Sequence, residues 1–73
     1  MLFPNPSNGI VTVQFESEGR KEMNVYNETG QLILTRATEN YSENIDLTRY
    51  AKGIYLVRVN SNSVPVWFRV ILQ

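Results

Sequence analysis

The segment DLTRYAKGIYLVRV, residues 46–59, is the centre of the predicted fold. In its second half the side chains alternate with a period of two, so that Tyr55, Val57 and Val59 point to one side of the backbone. This pattern predicts a β-strand that is buried on at least one face. We expect it to be the core strand of the molecule, with partner strands supplied by the residues before it and one more by the residues after it.

The same stretch also carries a helical spacing, formed by Leu47, Tyr50, Ala51 and Ile54. Gly53 argues against a continuous helix, because glycine suits the left-handed position that closes a single helical or 3₁₀ turn. Asp46 or Thr48 can cap the start of that turn, and Lys52 lies favourably near its carbonyl end. We therefore predict a one-turn corner that leads into the strand.

The composition predicts one small domain, residues 1–73, stabilised by an apolar core alone. The chain has 73 residues, 42% of them hydrophobic, and contains neither cysteine nor histidine. No disulfide or ordinary zinc site can therefore add to the core. The charges of seven basic and seven acidic residues cancel, and a chain with no net positive charge is a poor candidate for nucleic-acid binding. No segment approaches the roughly 20 apolar residues that span a bilayer, and we expect no ordinary N-terminal export signal.

The rest of the chain divides into short predicted strands separated by turns of Asn, Ser and Gly. Besides 54–59, the predicted strands are 10–15, 21–27, 31–36, 44–47 and 64–72. Residues 27–30 fit a type I turn followed by a left-handed glycine, whereas 37–43 predicts a loop or a short edge strand. Pro65 cannot donate to a strand ladder, so the last strand should begin at a sheet edge. These features predict an all-β fold, a small Ig-like antiparallel β-sandwich of six to seven strands.

Alternation within these strands assigns their apolar residues to the core. The predicted core residues before the central stretch are Val11, Val13, Phe15, Met23, Val25, Ile45 and Leu47. Those after it are Val64, Val66, Phe68, Val70 and Leu72. On the last strand the opposite face carries Trp67, which is either covered by another element or exposed as a contact.

Catalytic chemistry is not indicated. Without histidine and cysteine the usual nucleophilic triads and thiol sites are excluded. The acidic residues lie mostly in turns or on polar strand faces, where a solvated surface is a better interpretation than a catalytic carboxylate pair. Asn60 and Asn62 share a turn without a carboxylate companion, which is a poor calcium site. We predict that the chain is not an enzyme and binds no cofactor and no metal.

An ordered set of motifs resembles a known family. The set comprises Phe3, Pro4, Asn5 and Pro6 followed by Asn8 and Gly9, then Val25, Tyr26 and Asn27 with Gly30, then Ile45, Asp46 and Leu47 with Gly53, Ile54 and Tyr55. Together with the terminal strand, and over essentially all of the chain, it resembles the type A C-terminal sorting domain of the type IX secretion system, the Por secretion tail family. The family usually carries lysines near its end, whereas here Arg69 is the one basic residue of the last strand.

The resemblance implies a secretion signal attached to the C-terminus of a larger cargo protein. In that family the cargo folds in the periplasm, and an outer-membrane translocon then recognises the C-terminal domain. A sortase-like protease commonly removes the domain at the cell surface, and the cut would lie upstream of Met1. The implied partners are thus the translocon, the protease and the covalently preceding cargo, with no nucleic acid, and an edge-strand dimer is also possible.

The candidate recognition residues lie at the N-terminal corner, at the start of the central strand and on the last strand: Pro4, Asn5, Pro6, Gly53, Tyr55, Trp67, Arg69 and Val70. The two prolines make the corner rigid. For Gly53 we expect mainly a special backbone angle, and for Tyr55 a core ring whose hydroxyl bonds to the backbone. Trp67 and Arg69 share one face of a terminal edge strand, which is where we expect a partner to dock.

A function from another class stays open on the residues alone. Trp67, Tyr26 and Tyr41 would form a sugar-stacking platform in a cell-surface adhesion or carbohydrate-binding β-sandwich. Position in the parent protein separates the two functions, because a sorting signal must follow a larger domain and end the chain.

Overall fold

The computed structural model describes residues 2–3, 8–16, 19–61 and 64–73. These ranges contain seven β-strands and no helix: β1 Leu2–Phe3, β2 Ile10–Gln14, β3 Lys21–Tyr26, β4 Leu32–Thr38, β5 Ser42–Asp46, β6 Gly53–Ser61 and β7 Val64–Leu72. Strands β1-β2-β5 form one sheet and β4-β3-β6-β7 the other, with antiparallel pairing throughout. The predicted all-β, Ig-like sandwich is confirmed. No helix in the described ranges is long and apolar enough to cross a membrane.

Strand β6 lies inside the four-stranded sheet, between β3 and β7. Val57 pairs with Val25 of β3 on one side and with Phe68 of β7 on the other. Tyr55, Val57 and Val59 are buried, as the alternation predicts. The central position of this strand is therefore confirmed, and the strand is longer at both ends than residues 54–59.

The core fills the space between the two sheets. Its buried apolar residues are Val11, Val13, Met23, Val25, Ile45, Leu47, Tyr55, Val57, Val59, Val70 and Leu72. Phe15 and Phe68 are only partly buried against it. The prediction that Val64 and Val66 belong to the core is wrong, because their side chains are 65% and 48% exposed. They lie on the edge strand of a four-stranded sheet that faces only three strands. The opposing sheet therefore does not cover this part of β7, although the apolar alternation continues through it.

The hairpin between β3 and β4 has the predicted turn. The backbone N–H of Gly30 donates to the carbonyl of Asn27 at 3.0 Å, and the φ of Gly30 is +84°. The side-chain oxygen of Asn27 also accepts bonds from the N–H groups of Thr29 and Gln31. A register shift in β3 at Val25/Tyr26 accompanies the turn. Asparagine at the first position thus satisfies several backbone donors at once.

For residues 37–43 a loop or a short edge strand was predicted, and the range contains parts of both: the edge strand β4 continues to Thr38, the edge strand β5 begins at Ser42, and only residues 39–41 connect them. The Thr38 hydroxyl donates to Glu43 Oε1 at 2.7 Å, and the Asn40 side-chain amide donates to the same oxygen at 3.1 Å. Arg36 donates to the carbonyl of Asn44 at 2.7 Å. These polar contacts join the two sheets along this side, which hydrophobic periodicity does not reveal.

The corner before β6 is a β-turn and not a helical turn. The N–H of Tyr50 donates to the carbonyl of Leu47 at 3.0 Å. Asp46 Oδ1 accepts from the N–H and the hydroxyl of Thr48, as expected of a capping residue. Gly53 does not close this turn. It is the first residue of β6, with a φ of +149°, which corrects the prediction of a left-handed helical terminus there.

Lys21 is buried at the start of β3, beside the core residue Met23 of the same face. Its Nζ lies 5.0 Å from the ring centroid of Phe15 and 5.4 Å from that of Tyr41. Aromatic faces attract an ammonium group, and the aliphatic part of lysine packs as an apolar chain. Lys21 therefore closes one end of the sandwich instead of contributing to an exposed basic pair with Arg20.

Candidate recognition surface

The structure gathers most of the predicted recognition residues on two paired strands. Tyr55 of β6 is the register partner of Val70 of β7, and Gly53 pairs with Leu72. Trp67 and Arg69 lie further back along β7, opposite Arg58 and Leu56. Pro4, Asn5 and Pro6 lie outside the described residues. The described members of the set thus belong to one edge of the four-stranded sheet.

Val70 and Tyr55 face the core. The Val70 side chain has no exposed surface, and Tyr55 is only 6% exposed. The Tyr55 hydroxyl donates to the carbonyl of Ala51, and its ring meets Tyr50 edge-on at 6.4 Å, which confirms the predicted packing role. A partner reaches Val70 in the folded domain only through the backbone of the edge strand. Recognition of Val70 through its backbone stays a prediction.

Gly53 leaves room for a carboxylate from the β3–β4 hairpin. Glu28 Oε1 accepts a hydrogen bond from the N–H of Ile54 at 2.8 Å. A Cβ on Gly53 would lie 2.6 Å from the same oxygen, closer than carbon and oxygen can approach. The sequence contains no signal for this contact, because Glu28 and Ile54 are separated by 26 positions. Gly53 is required here by its φ of +149°, since the flexible Glu28 side chain can give way to an added Cβ.

Glu28→Ala is expected to lower the free energy of unfolding by about 1 kcal/mol, because it leaves the Ile54 N–H at the start of β6 without its protein acceptor. Glu28→Gln keeps an oxygen at the same place and should lose less than half as much. Chemical denaturation of both variants measures the difference. Equal losses of unfolding free energy in the Ala and Gln variants would show that the hydrogen bond from the Ile54 N–H to the side-chain oxygen at position 28 does not stabilise the contact between the hairpin and β6.

Trp67 is exposed and is not covered by another element of the described chain; exposure and cover were the two alternatives that its position on β7 left open. Half of its surface, 52%, is accessible on the outer face of the four-stranded sheet. Its ring centroid lies 5.7 Å from that of Tyr26, with 35° between the ring planes, and the Arg58 guanidinium lies 5.9 Å from it. Arg69 is exposed on the same face of β7. Trp67 therefore has neighbours from two other strands as well as from its own.

The outer face of the four-stranded sheet is apolar over much of its area. Its exposed members include Leu32, Ile54, Leu56 and Trp67, each between 39% and 52% accessible, and Tyr26 and Ile71 are half-buried beside them. The pairing register places Tyr26 between Leu32 and Leu56, and Ile54 opposite Ile71. Ile54, Leu56 and Arg58 were not among the residues predicted to form a site. The signal was present, because the second face of β6 is nearly as apolar as the first.

Two carboxylates with shifted pKa values lie away from this face. The hydroxyl of Thr38, then the amide of Asn40 and the charge of Arg36, hold the pKa of Glu43 below its ordinary value, although burial opposes them. The hydroxyl and the N–H of Thr48 lower the pKa of Asp46. The bond from Thr38 to Glu43 joins β4 to β5, whereas the bonds from Thr48 to Asp46 stay within the corner before β6. Within the described ranges no cluster of acidic side chains could hold a metal ion.

These features define a small β-sandwich module with an exposed, largely apolar sheet face and an accessible edge strand. The chain matches, over residues 1–73, the family described as the secretion system C-terminal sorting domain. The chain belongs to this family, and it is a C-terminal sorting signal for type IX secretion. Comparison with curated proteins finds no match.

The family match confirms the predicted resemblance and the predicted function, and it gives no support to the adhesion alternative. Members of this family are sorting signals and not catalysts. The protein that carries this domain is accordingly an exported one, and its sorting domain engages the type IX secretion machinery as the tail of a cargo.

Proposed function

We propose that residues 1–73 act as a single export unit with no catalytic activity of its own, which an outer-membrane translocon recognises after the cargo has entered the periplasm. A sortase-like protease then cuts upstream of Met1 and leaves the cargo at the cell surface. The family match over the whole chain carries this proposal. The recognition residues are those named from the sequence. Among the members of this set on the last strand, Trp67 and Arg69 have exposed side chains.

The position of β7 supports recognition at the last strand. It forms an outer edge of the four-stranded sheet over nine residues, and an edge strand can accept a further strand from a partner. Pro65 lies near its start, where the missing N–H restricts pairing to the rest of the strand. A second copy of the domain would use the same edge, so a dimer and a translocon complex are competing uses of β7.

Export of a reporter tests this function directly. A folded periplasmic reporter with its own inner-membrane signal is fused to residues 1–73 and expressed in a host that has a type IX system. We expect the reporter at the cell surface or in the medium, and we expect the same reporter without the domain to stay in the periplasm. A host lacking the translocon is the second control. Retention of the complete fusion in a competent host would overturn the proposal.

A further inference from the structure

We propose that the outer face of the four-stranded sheet is a docking surface for a protein of the export machinery that presents carboxylates around an apolar patch, with Tyr26, Arg58 and Trp67 at the centre of the contact. This inference rests on the proposed function and names the partner chemistry of that function. It differs from edge-strand pairing, because it uses side chains of three strands and not the backbone of β7.

The apolar content of this face is the first argument. Leu32 and Trp67 are 52% exposed, and Ile54 and Leu56 are about as accessible. The register brings them together across four strands, with Tyr26 between Leu32 and Leu56. A sheet with one solvated face ordinarily places polar residues there, whereas this face concentrates branched and aromatic side chains. Contiguous exposed apolar surface of this kind marks an interaction site.

The kind of residue at the centre is the second argument. Trp67 contacts both Tyr26 and Arg58, with 5.7 Å between the two ring centroids and 5.9 Å from the Arg58 guanidinium to the centroid of the Trp67 ring. Tryptophan, tyrosine and arginine are the residues most enriched among those that dominate binding energy in protein interfaces. Because the three side chains already pack together, little conformational entropy is lost when a partner binds.

The charge of the face selects the partner. Arg58 has no carboxylate partner among the described residues. Glu22 lies at the far end of β3 on this face, and Glu28 bonds to the N–H of Ile54. An arginine beside the exposed Trp67 ring without a carboxylate of its own favours a partner that brings one. A second copy that places its own Arg58 against this one would instead bring two guanidinium groups together, which is unfavourable.

The geometry also favours a protein over a glycan. Sugars stack on an open aromatic face, but Arg58 lies over the Trp67 ring and the Tyr26 ring is tilted by 35° against it. The exposed side chains Leu32, Ile54 and Leu56 near this aromatic pair are aliphatic and offer a sugar no hydrogen-bond partners. Apolar side chains of a protein partner fit this surface, and carboxylates fit its guanidinium groups.

Export rates of surface variants test the inference in the complete reporter fusion. Trp67→Ala and Arg58→Glu should each lower the initial rate of export at least tenfold, because loss of a dominant contact weakens binding by about that factor or more. The matched controls are Val64→Ala, an exposed residue on the opposite face of β7, and Arg49→Glu, an exposed arginine at the corner. Both should stay within twofold of the unchanged fusion, and all four should melt within about 3 °C of it.

Two different failures are distinguishable in this experiment. If the unchanged fusion is not exported, the proposed function fails. If the unchanged fusion is exported and the Trp67 and Arg58 variants, still folded, are exported at the same rate, only the docking surface fails.

Photocrosslinking identifies the partner. A benzoylphenylalanine at position 56, on the proposed surface, should crosslink to a protein of the secretion machinery at a peptide that contains Asp or Glu. The same group at position 42, an exposed residue of β5, should not. A crosslink from position 56 to a second copy, to the attached cargo or to lipopolysaccharide would overturn the inference, and so would no crosslink at all.

Discussion

Leu47→Ala is expected to lower the free energy of unfolding by about 2–5 kcal/mol. The Leu47 side chain has no exposed surface, and it packs where the β-turn before β6 meets the core. Removing it leaves a cavity that no disulfide or ordinary zinc site compensates, since the chain has no cysteine or histidine. For a chain of this size the whole stability is only about 4–11 kcal/mol, so the melting temperature should fall by about 10 °C or more.

Leu56→Ala is the matched control, because it removes the same atoms from a side chain that is 39% exposed on the outer face. Its cost should be about 1 kcal/mol or less. Denaturant titrations of the two variants under one set of conditions give the comparison. Equal losses would mean that the core lies elsewhere than between the two sheets. The same Leu56 variant should export more slowly than its stability explains if the outer face binds a partner.

Gly9→Ala is expected to cost about 2–4 kcal/mol, the largest loss among alanine substitutions at the four glycines. The φ of Gly9 is +139°, where a side chain is strained, and an added Cβ would lie 2.5 Å from Thr48 Cγ2. The backbone cannot easily move away, because the carbonyl of Gly9 accepts from the N–H of Leu47 at 2.7 Å. Gly30→Ala is the control, because its φ is also positive but open space surrounds it, so backbone strain of about 1 kcal/mol should be its whole cost.

A second substitution separates the clash at Gly9 from the backbone strain. Thr48→Ser removes Cγ2 and keeps the hydroxyl that donates to Asp46. In the double variant the loss should therefore fall, while the backbone strain at the Gly9 φ of +139° remains, and a double-mutant cycle on unfolding free energies measures the coupling. If the two losses simply add, the Thr48 methyl is not the obstacle, and the close approach of these two segments does not explain the glycine.

The proposed docking surface would divide stability and recognition between the two faces of the four-stranded sheet. Residues such as Val57 and Val70 on the inner face are buried, and a partner has no access to their side chains. Outer-face residues such as Trp67 are exposed and available for contact. A partner that docks on the outer face would thus bind the folded domain without disturbing its core.

Several features of this domain follow from the sequence without its structure. Alternation identified β6 and its buried residues, because side chains in a strand point to opposite faces with a fixed period of two. Asn27 and Gly30 identified the hairpin turn, because its geometry needs a side-chain acceptor at one position and a left-handed residue at another. The absence of histidine and cysteine removed most catalytic chemistry, and the ordered motifs indicated the family that the whole-chain match shows.

Only the tertiary structure decided which part of each strand is buried by the opposing sheet. Val64 and Val70 occupy equivalent positions in one alternating strand, yet one is exposed and the other buried, because only part of β7 lies over the opposing sheet. The contact of Glu28 with the start of β6, the burial of Lys21 and the assembly of Tyr26, Arg58 and Trp67 each join residues far apart in the chain. Periodicity is a property of a single strand. Burial and side-chain contacts depend instead on which strands become neighbours, and the neighbours are fixed only when the sheets pack.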